Sequence, residues 1–320
     1  MFTQLRNRLN HAEWNAPQIA AMLAGFALVI GVIGLFLDAA VDVFTLIAVE
    51  LAGIAVLVFI LDELTRRRID QQEKRNLIAQ MRSKHLDVSE RAAQELNNRG
   101  WLTDGSLKGV YLGRTNLQGA HLVDADLEAA DLRDANLQGA YLTNANLEAV
   151  KLTAANLQSA DLSNANLRAA YMFTANLREA YLRGAKLMTA DLWKANLEGA
   201  YLQKADLTGA DLSRSQLQTA DLTGATLRGA HLEEVSFGQA NLTQANLQAA
   251  NLTNANLQEA NLTGATFDAQ TILPDGSHWT PEVDWLRFTN PRHLQFWQPQ
   301  LDKGGNYPWW HIPPSTTERI

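Results

Sequence analysis

The chain has no cysteine among its 320 residues, which excludes disulfides and thiolate metal sites and leaves the redox compartment open. Charge of either sign is also in short supply. A net charge of −7 argues neither for nucleic-acid binding nor for a strongly acidic mimic. The seven histidines are scattered, with His121 and His231 in the middle of the chain and His278, His293 and His311 near its end, so no metal-ligand spacing arises. A glycine-rich phosphate loop is missing too, and with it the chemistry such loops support. Long apolar runs are confined to the residues before Leu61; after Gly105 the apolar residues come singly and at fixed spacing.

Two stretches, Ile19 to Leu37 and Val43 to Leu61, are apolar apart from Glu50. Each is long enough to rise about 28 Å as a helix, close to the thickness of a bilayer core. They read as two transmembrane helices joined by the short turn Asp38 to Asp42, which carries acids and no base. Arg6 and Arg8 precede the first span, and Arg66, Arg67, Arg68, Lys74 and Arg75 follow the second. That asymmetry places both termini on the cytoplasmic side of a bacterial inner or plasma membrane. A secretory signal peptide is the competing reading, but the first run exceeds the usual apolar region of about 7 to 15 residues and a second run follows at once. Ala20, Ala21, Ala24, Gly25, Gly31 and Gly34 would let the two backbones approach closely. Glu50 sits mid-span, where a charged carboxylate costs about 2.5 kcal/mol or more. Two readings of it stay open: an intramembrane contact to a partner or to another copy of the chain, or a protonated side chain bonded within its own hairpin.

Residues 62–104 read as a helical linker and cap. Asp62 to Arg82 is rich in Arg, Gln, Glu and Lys and favours a solvated helix, with Arg66 to Arg68 at the headgroups. Asp87 with Glu90 predicts a capping-box start to a second helix, Ala92, Ala93 and Leu96 its apolar stripe, and Gly100 its stop. Trp101 and Leu102 are expected to cover the open end of whatever follows.

From Gly105 to Ala269 the sequence repeats every five residues without an insertion. Of the 33 positions numbered with a final 2 or 7 between Leu107 and Phe267, 30 are Leu and the rest are Met172, Phe237 and Phe267. Two residues earlier, 27 of 33 are Ala, with Gly105, Val110, Thr115, Val150, Ser215 and Val235 as exceptions. The place between is mostly Asn, Asp or Tyr. An apolar pair at this spacing would precess around an α-helix and change faces in a flat strand, so the chain must turn once per repeat. Leu and Ala then point inward and the remaining residues face water. Stacked coils about 4.8 Å apart bury one another's Leu layers, and no coil is stable alone.

Runs such as ANLQGAYLTNANLEA and ADLTGADLSRSQL resemble the A(D/N)LXX motif of the pentapeptide-repeat family. The resemblance implies an all-β solenoid, a right-handed quadrilateral β-helix with four repeats per coil, here about eight coils and a rod roughly 38 Å long at that spacing. With the membrane hairpin and juxtamembrane helices in front, the expected domains are 1–61, 62–104, 105–269 and a C-terminal cap and tail, 270–320. The segment TILPDGSHWTPEVDWLRFTNP is similar to tails of membrane-tethered members. Leu273-Pro-Asp-Gly-Ser reads as the turn that ends the coil stack, with Trp279 and Trp285 covering the open layer around Phe267.

Residues 20 apart should lie above one another. One row stacks Tyr141, Asp161, Tyr181, Tyr201 and Asp221; another, across an Asn row from Asn116 to Asn196, carries Tyr111, Asp131, Lys151, Tyr171, Asp191 and Asp211. The tyrosines and acids of these rows, Tyr141, Asp161, Tyr181, Tyr201, Asp221, Tyr111 and Tyr171, are the candidate interaction surface. The pairing of His231 with Glu233 and Glu234 reads as local polarity, and the Asn-Leu-Thr strings at Asn241, Asn251 and Asn261 as by-products of the repeat. A Leu-filled solenoid has no interior pocket for an enzyme's polar constellation, so neither catalysis nor a cofactor nor a metal is expected. The expected partners are the bilayer, an unidentified protein and, through Glu50, another copy as a homo-oligomer, with no direct nucleic-acid binding. The family resemblance also implies a second function class, since some soluble members protect DNA gyrase by presenting an acidic rod that resembles duplex DNA. Here 17 acids against 12 bases between Gly105 and Ala269 dilute that likeness.

Overall fold

The computed structural model describes residues 43–297, with side chains described from residue 53 onward. The expected first span, 19–37, and the turn after it lie outside these residues. The chain divides into two compact units, up to Gln71 and from Gln72.

The first unit contains most of helix α1, Val43–Met81, which runs unbroken from the second apolar stretch into the charged one. Ile54, Leu57, Val58, Phe59 and Leu61 stand exposed on it. Beyond them, Asp62 pairs with Arg66 at 2.9 Å and Glu63 with Arg67 at 3.2 Å, one helical turn apart, as a solvated helix favours. Among the described residues no helix is long and apolar enough to cross a membrane. The expected hairpin is therefore not part of the described structure, and of the second span only Gly53 to Leu61 has described side chains.

In the second unit the end of α1 packs Leu77, Ile78 and Met81 against the core. Helix α2, Leu86–Asn98, follows, with Ala92, Ala93 and Leu96 buried. Its start corrects the capping-box expectation. The cap residue is His85, without a side-chain cap bond, and Asp87 lies inside the first turn. The reason is Ser89, whose hydroxyl bonds back to Leu86 O at 3.1 Å and also reaches the carbonyl of Asn116. A carbonyl at that place in a coil ordinarily accepts from the coil before it, and the first coil has none, so α2 is drawn into the register that brings Ser89 there. Gly100, at φ 69°, ends α2: its N–H bonds to Asn97 O and the Trp101 N–H to Leu96 O, both at 2.9 Å, the paired bonds of a Schellman stop. Leu102 is buried, and Trp101 packs on the core beneath Lys74 and Arg99.

The periodic region is a stack of four-sided coils. Residue i bridges i+20 in parallel from Tyr111↔Asp131 to Asn246↔Thr266. Every bridge stands alone. No continuous strand forms among the described residues, because a corner interrupts each side before a second pair can bridge. The pattern of one repeat explains the sequence. Leu162 N–H donates to Tyr181 O at 2.7 Å and Asn164 N–H to Arg183 O at 2.9 Å in the next coil, Asn166 N–H donates to Ala145 O at 2.9 Å in the previous one, and Ala165 N–H closes the corner on Leu162 O at 3.0 Å. The fifth N–H, that of Ser163, is met by Asp161 Oδ1 at 2.9 Å. The same side-chain bond recurs after Asn116, Asn136, Asn156, Asp191 and Asn241, among others. Asn and Asp occupy this place because their short oxygens reach the backbone N–H two residues on.

Each corner has the type II pattern, which requires a positive φ at its second central residue. From 109 to 264 every such position has it, but only nine are glycine and 23 are not. Left-handed backbone costs an L-residue about 1–2 kcal/mol, most for β-branched side chains. Thr174, exposed and at φ 54°, is such a case. Thr174→Gly is expected to raise stability by about 0.5–1 kcal/mol after the larger chain entropy of glycine is subtracted; an unchanged or lower denaturation midpoint would show the corner to be unstrained.

The stack ends one repeat later than the sequence reading placed it. Asn251 bridges Ile272, 21 residues on, so one extra residue enters the corner after Phe267. Thr271 and Leu273 then take the Ala and Leu places and are buried. Asp268 makes the slip possible: its Oδ1 accepts the Ala249 N–H at 2.9 Å, a bond that a backbone carbonyl makes in the regular coils. The predicted turn at Leu273 to Ser277 does form, and Ile272 pairs back on His278 in antiparallel. Trp279 stacks on Phe267 with its centroid 6.1 Å away, Trp285 packs tilted against the same ring at 4.5 Å, and the short helix α3, Leu286–Thr289, adds the buried Phe288. Thr289 O accepts the Glu259 N–H at 2.7 Å, so both ends of the stack borrow their missing hydrogen-bond partners from capping helices.

Candidate interaction surfaces

Leu and Ala fill the interior, so the distinguishing chemistry lies on the outer rows. Bridges Tyr141↔Asp161, Asp161↔Tyr181, Tyr181↔Tyr201 and Tyr201↔Asp221 put five of the predicted residues in one column. Tyr111 and Tyr171 do not join it. They stand in the column Tyr111↔Asp131↔Lys151↔Tyr171, offset by half a coil and hence on the opposite side of the rod. The candidate surface is two surfaces. The backbone of Glu50 lies in α1, and its side chain is outside the described residues.

Within the first column the acids and the tyrosines separate in character. Asp161 and Asp221 belong to the scaffold. Burial pushes the Asp161 carboxyl up, but Ser163 and the Thr143 hydroxyl, at 2.9 Å, outweigh it and hold it below the ordinary carboxylate range. Burial likewise raises Asp221, and Thr223, Gln203 and their hydrogen bonds at 2.6–3.0 Å prevail to lower it. Asp131 is lowered chiefly by its two-point pairing with Arg133 at 2.6 and 2.9 Å, and Asp268 chiefly by the Ala249 N–H. A carboxyl whose pKa is depressed on folding contributes stability that is complete above its unfolded value, about 3.9, and disappears as pH falls through the lower folded value. Melting midpoints are therefore expected to hold from pH 7 to about 5 and to drop below about 4. Asp221→Asn should show a shallower acid loss than the parent chain, and an identical acid profile would exclude Asp221 from the effect.

The tyrosines hold no such structural bond and are 41–51% exposed. Tyr181 and Tyr201 stack at 4.9 Å with planes 5° apart, and His121 stacks on Tyr141 at 4.7 Å. A shallow depression beside the Tyr181 pair is lined by Arg183, Gln203 and Lys204, with Ser163 and Thr223 at its ends. On the opposite side Phe173 stacks on Trp193 at 4.8 Å, with Lys194 Nζ 4.1 Å from the Trp193 ring. Sequence reasoning missed this second stack because it followed only the Asn place; the same 20-residue arithmetic applied to the turn places finds it. The Asn row is a ladder of amides, Asn136 to Asn116, Asn156 to Asn136 and Asn176 to Asn156, at 2.9–3.1 Å. Among the described residues no group of three or more His, Asp or Glu is placed to hold a metal ion.

The family model for pentapeptide repeats matches with eight copies, over residues 111–148, 130–168, 151–193, 190–229 and 230–268. The chain belongs to the pentapeptide-repeat family. The right-handed quadrilateral β-helix is the fold of that family, in agreement with coils that close every 20 residues. Among solved pentapeptide-repeat structures, the chain is similar to HetL of the cyanobacterium Nostoc sp. strain PCC 7120, described as involved in the regulation of heterocyst differentiation. Identity is 32%, over 59% of this chain and 98% of that one, with a TM-score of 0.24. It is similar to QnrB1, a plasmid-mediated fluoroquinolone resistance protein, at 21% identity over 51% of this chain and 85% of that one, with a TM-score of 0.45. Rfr23 of the cyanobacterium Cyanothece 51142 is 40% identical over 31% of this chain and 63% of that one, with a TM-score of 0.22. No curated protein matches the sequence.

Proposed function

We propose that this pentapeptide-repeat protein is a membrane-tethered scaffold that presents its rod on the cytoplasmic side and recruits proteins through the outer rows. The observation that carries this reading is the filled interior: Leu and Ala side chains from Leu107 to Leu257 are almost all inaccessible, so recognition has only the outside of the rod to use. Its tyrosines are exposed, with Tyr181 stacked on Tyr201 and Tyr141 on His121, whereas its Asn and Asp side chains serve the coil. The tether is supported by the exposed apolar residues Ile54, Leu57, Val58, Phe59 and Leu61 of α1, which water would not favour, and by the arginines Arg66 to Arg68 that follow them. Family membership agrees with an interaction role, since pentapeptide-repeat proteins are generally structural or interaction scaffolds.

Crosslinking the full chain in its native membrane, beside a version lacking residues 1–61, tests the proposal. Capture of one identified protein only when the anchor is present supports a tethered scaffold. Recovery of the full chain in the soluble fraction would remove the tether. Stoichiometric inhibition of gyrase supercoiling by either version would replace the scaffold with the DNA-mimicking alternative.

A further inference from the structure

The coils of Tyr181 and Tyr201 differ from those on either side of them. In the coil before, Asp161 Oδ1 accepts the Ser163 N–H at 2.9 Å, and in the coil after, Asp221 Oδ1 accepts the Thr223 N–H at 3.0 Å. A tyrosine ring cannot repeat that bond. The corresponding N–H groups of Arg183 and Gln203 have no acceptor among the described residues. Two cations stand at the same corners. Elsewhere on the rod Lys108, Arg114, Arg133, Arg178 and Arg214 each lie within 4 Å of a carboxylate, while Lys151, Arg168, Lys186, Lys194 and Arg228 have none that close among the described residues. Arg183 and Lys204 have no such partner among the described residues, and both are exposed. Nor do the adjacent acids pair with them directly, since Asp161 and Asp221 direct their oxygens to Thr143, Ser163, Gln203, Thr223 and Asn241. Unsatisfied donors, unpaired cations and a flat aromatic wall therefore converge on one shallow depression.

We propose that this depression binds an acidic peptide segment of a partner protein. A glutamate or aspartate of the ligand accepts from the N–H groups of the Arg183 and Gln203 turns, the bond that an aspartate of the chain itself makes in the flanking coils. Arg183 and Lys204 offset its charge, and the stacked tyrosines bury the apolar part of the peptide. The net charge of −7 opposes any diffuse attraction of acidic ligands, so such binding must come from local groups. This inference names the client chemistry of the scaffold and rests on that reading.

The test uses the full chain in a non-ionic detergent and the anisotropy of a fluorescein-labelled octapeptide of alternating glutamate and glycine. Saturable binding is expected, at least tenfold tighter than for the same peptide with glutamine in place of glutamate, and weakened by salt. Arg183→Gln with Lys204→Gln should weaken it at least tenfold while leaving the melting midpoint unchanged, because both side chains are exposed. Lys151→Gln with Lys194→Gln, on the opposite side, should leave binding intact. Equal binding of the glutamine peptide, equal losses in both double variants, or no binding at all would overturn the proposal. Binding of tripolyphosphate without the peptide would do so too, marking a site for free anions instead. A partner captured by crosslinking while the peptide fails to bind would sink this inference and leave the scaffold standing.

Discussion

Alanine at Leu187 is expected to destabilise the rod by about 2–5 kcal/mol, the range for a leucine deleted from a close-packed core. Leu187 is fully inaccessible, in the middle of the stack, and its layer is pressed between those of Leu167 and Leu207. The coils above and below are pinned by hydrogen bonds of 2.7–2.8 Å, Leu187 N–H to Asp206 O and Leu167 N–H to Lys186 O, so they cannot collapse into the space. Position along the rod then decides the magnitude. Leu262, in the last coils, is only half-buried, and its alanine variant should lose distinctly less. Asn176→Ala removes an amide that caps Arg178 and donates to Asn156, with an expected cost of about 1 kcal/mol. Urea denaturation of the three variants checks the order. Equal losses at Leu187 and Leu262 would mean that the stack does not behave as coupled neighbouring layers.

Much of this fold was legible in the residues because its period is covalent arithmetic. Leu and Ala recur every five residues, which follows from counting, and the family resemblance implies the four repeats that close a coil every 20. What counting could not supply was the purpose of the Asn place. The bond from Asp161 to the Ser163 N–H exists only once the corner has its left-handed residue, and 23 non-glycine residues in that conformation give no composition signal. The slip at Asp268 was hidden for a related reason: a single added residue leaves Thr271 and Leu273 looking like tail, until Asn251 is seen to bridge Ile272. Ser89 was invisible because its role is to satisfy Asn116, 27 residues away, at an edge that only the folded stack possesses. For the candidate surface, the columns were correct from the sequence. That the tyrosines stand on opposite sides was already implied by their half-coil offset, whereas the internal saturation of Asp161 and Asp221 needed coordinates.

The aromatic cap at the other end carries the second large effect. Phe267 closes the last layer and is covered by Trp285 at 4.5 Å, which leans on the buried Phe288, which in turn meets Trp297 at 6.1 Å. Phe288→Ala removes the centre of this chain of rings, and a loss of about 3–5 kcal/mol is expected. The consequence reaches beyond packing, because α3 also holds the Thr289 carbonyl on the Glu259 N–H and, through Arg287, an ion pair with Asp275 at 2.6 Å. Loosening α3 bares both an apolar layer and unpaired backbone groups, the combination that templates edge-to-edge association. The variant should therefore unfold from this end and self-associate, read as a lower urea midpoint together with concentration-dependent light scattering in the detergent-solubilised chain. Asp275→Asn, which weakens the ion pair and leaves the rings in place, should remain monodisperse. If it scattered as strongly as Phe288→Ala, the ion pair and not the aromatic chain would be what closes the stack.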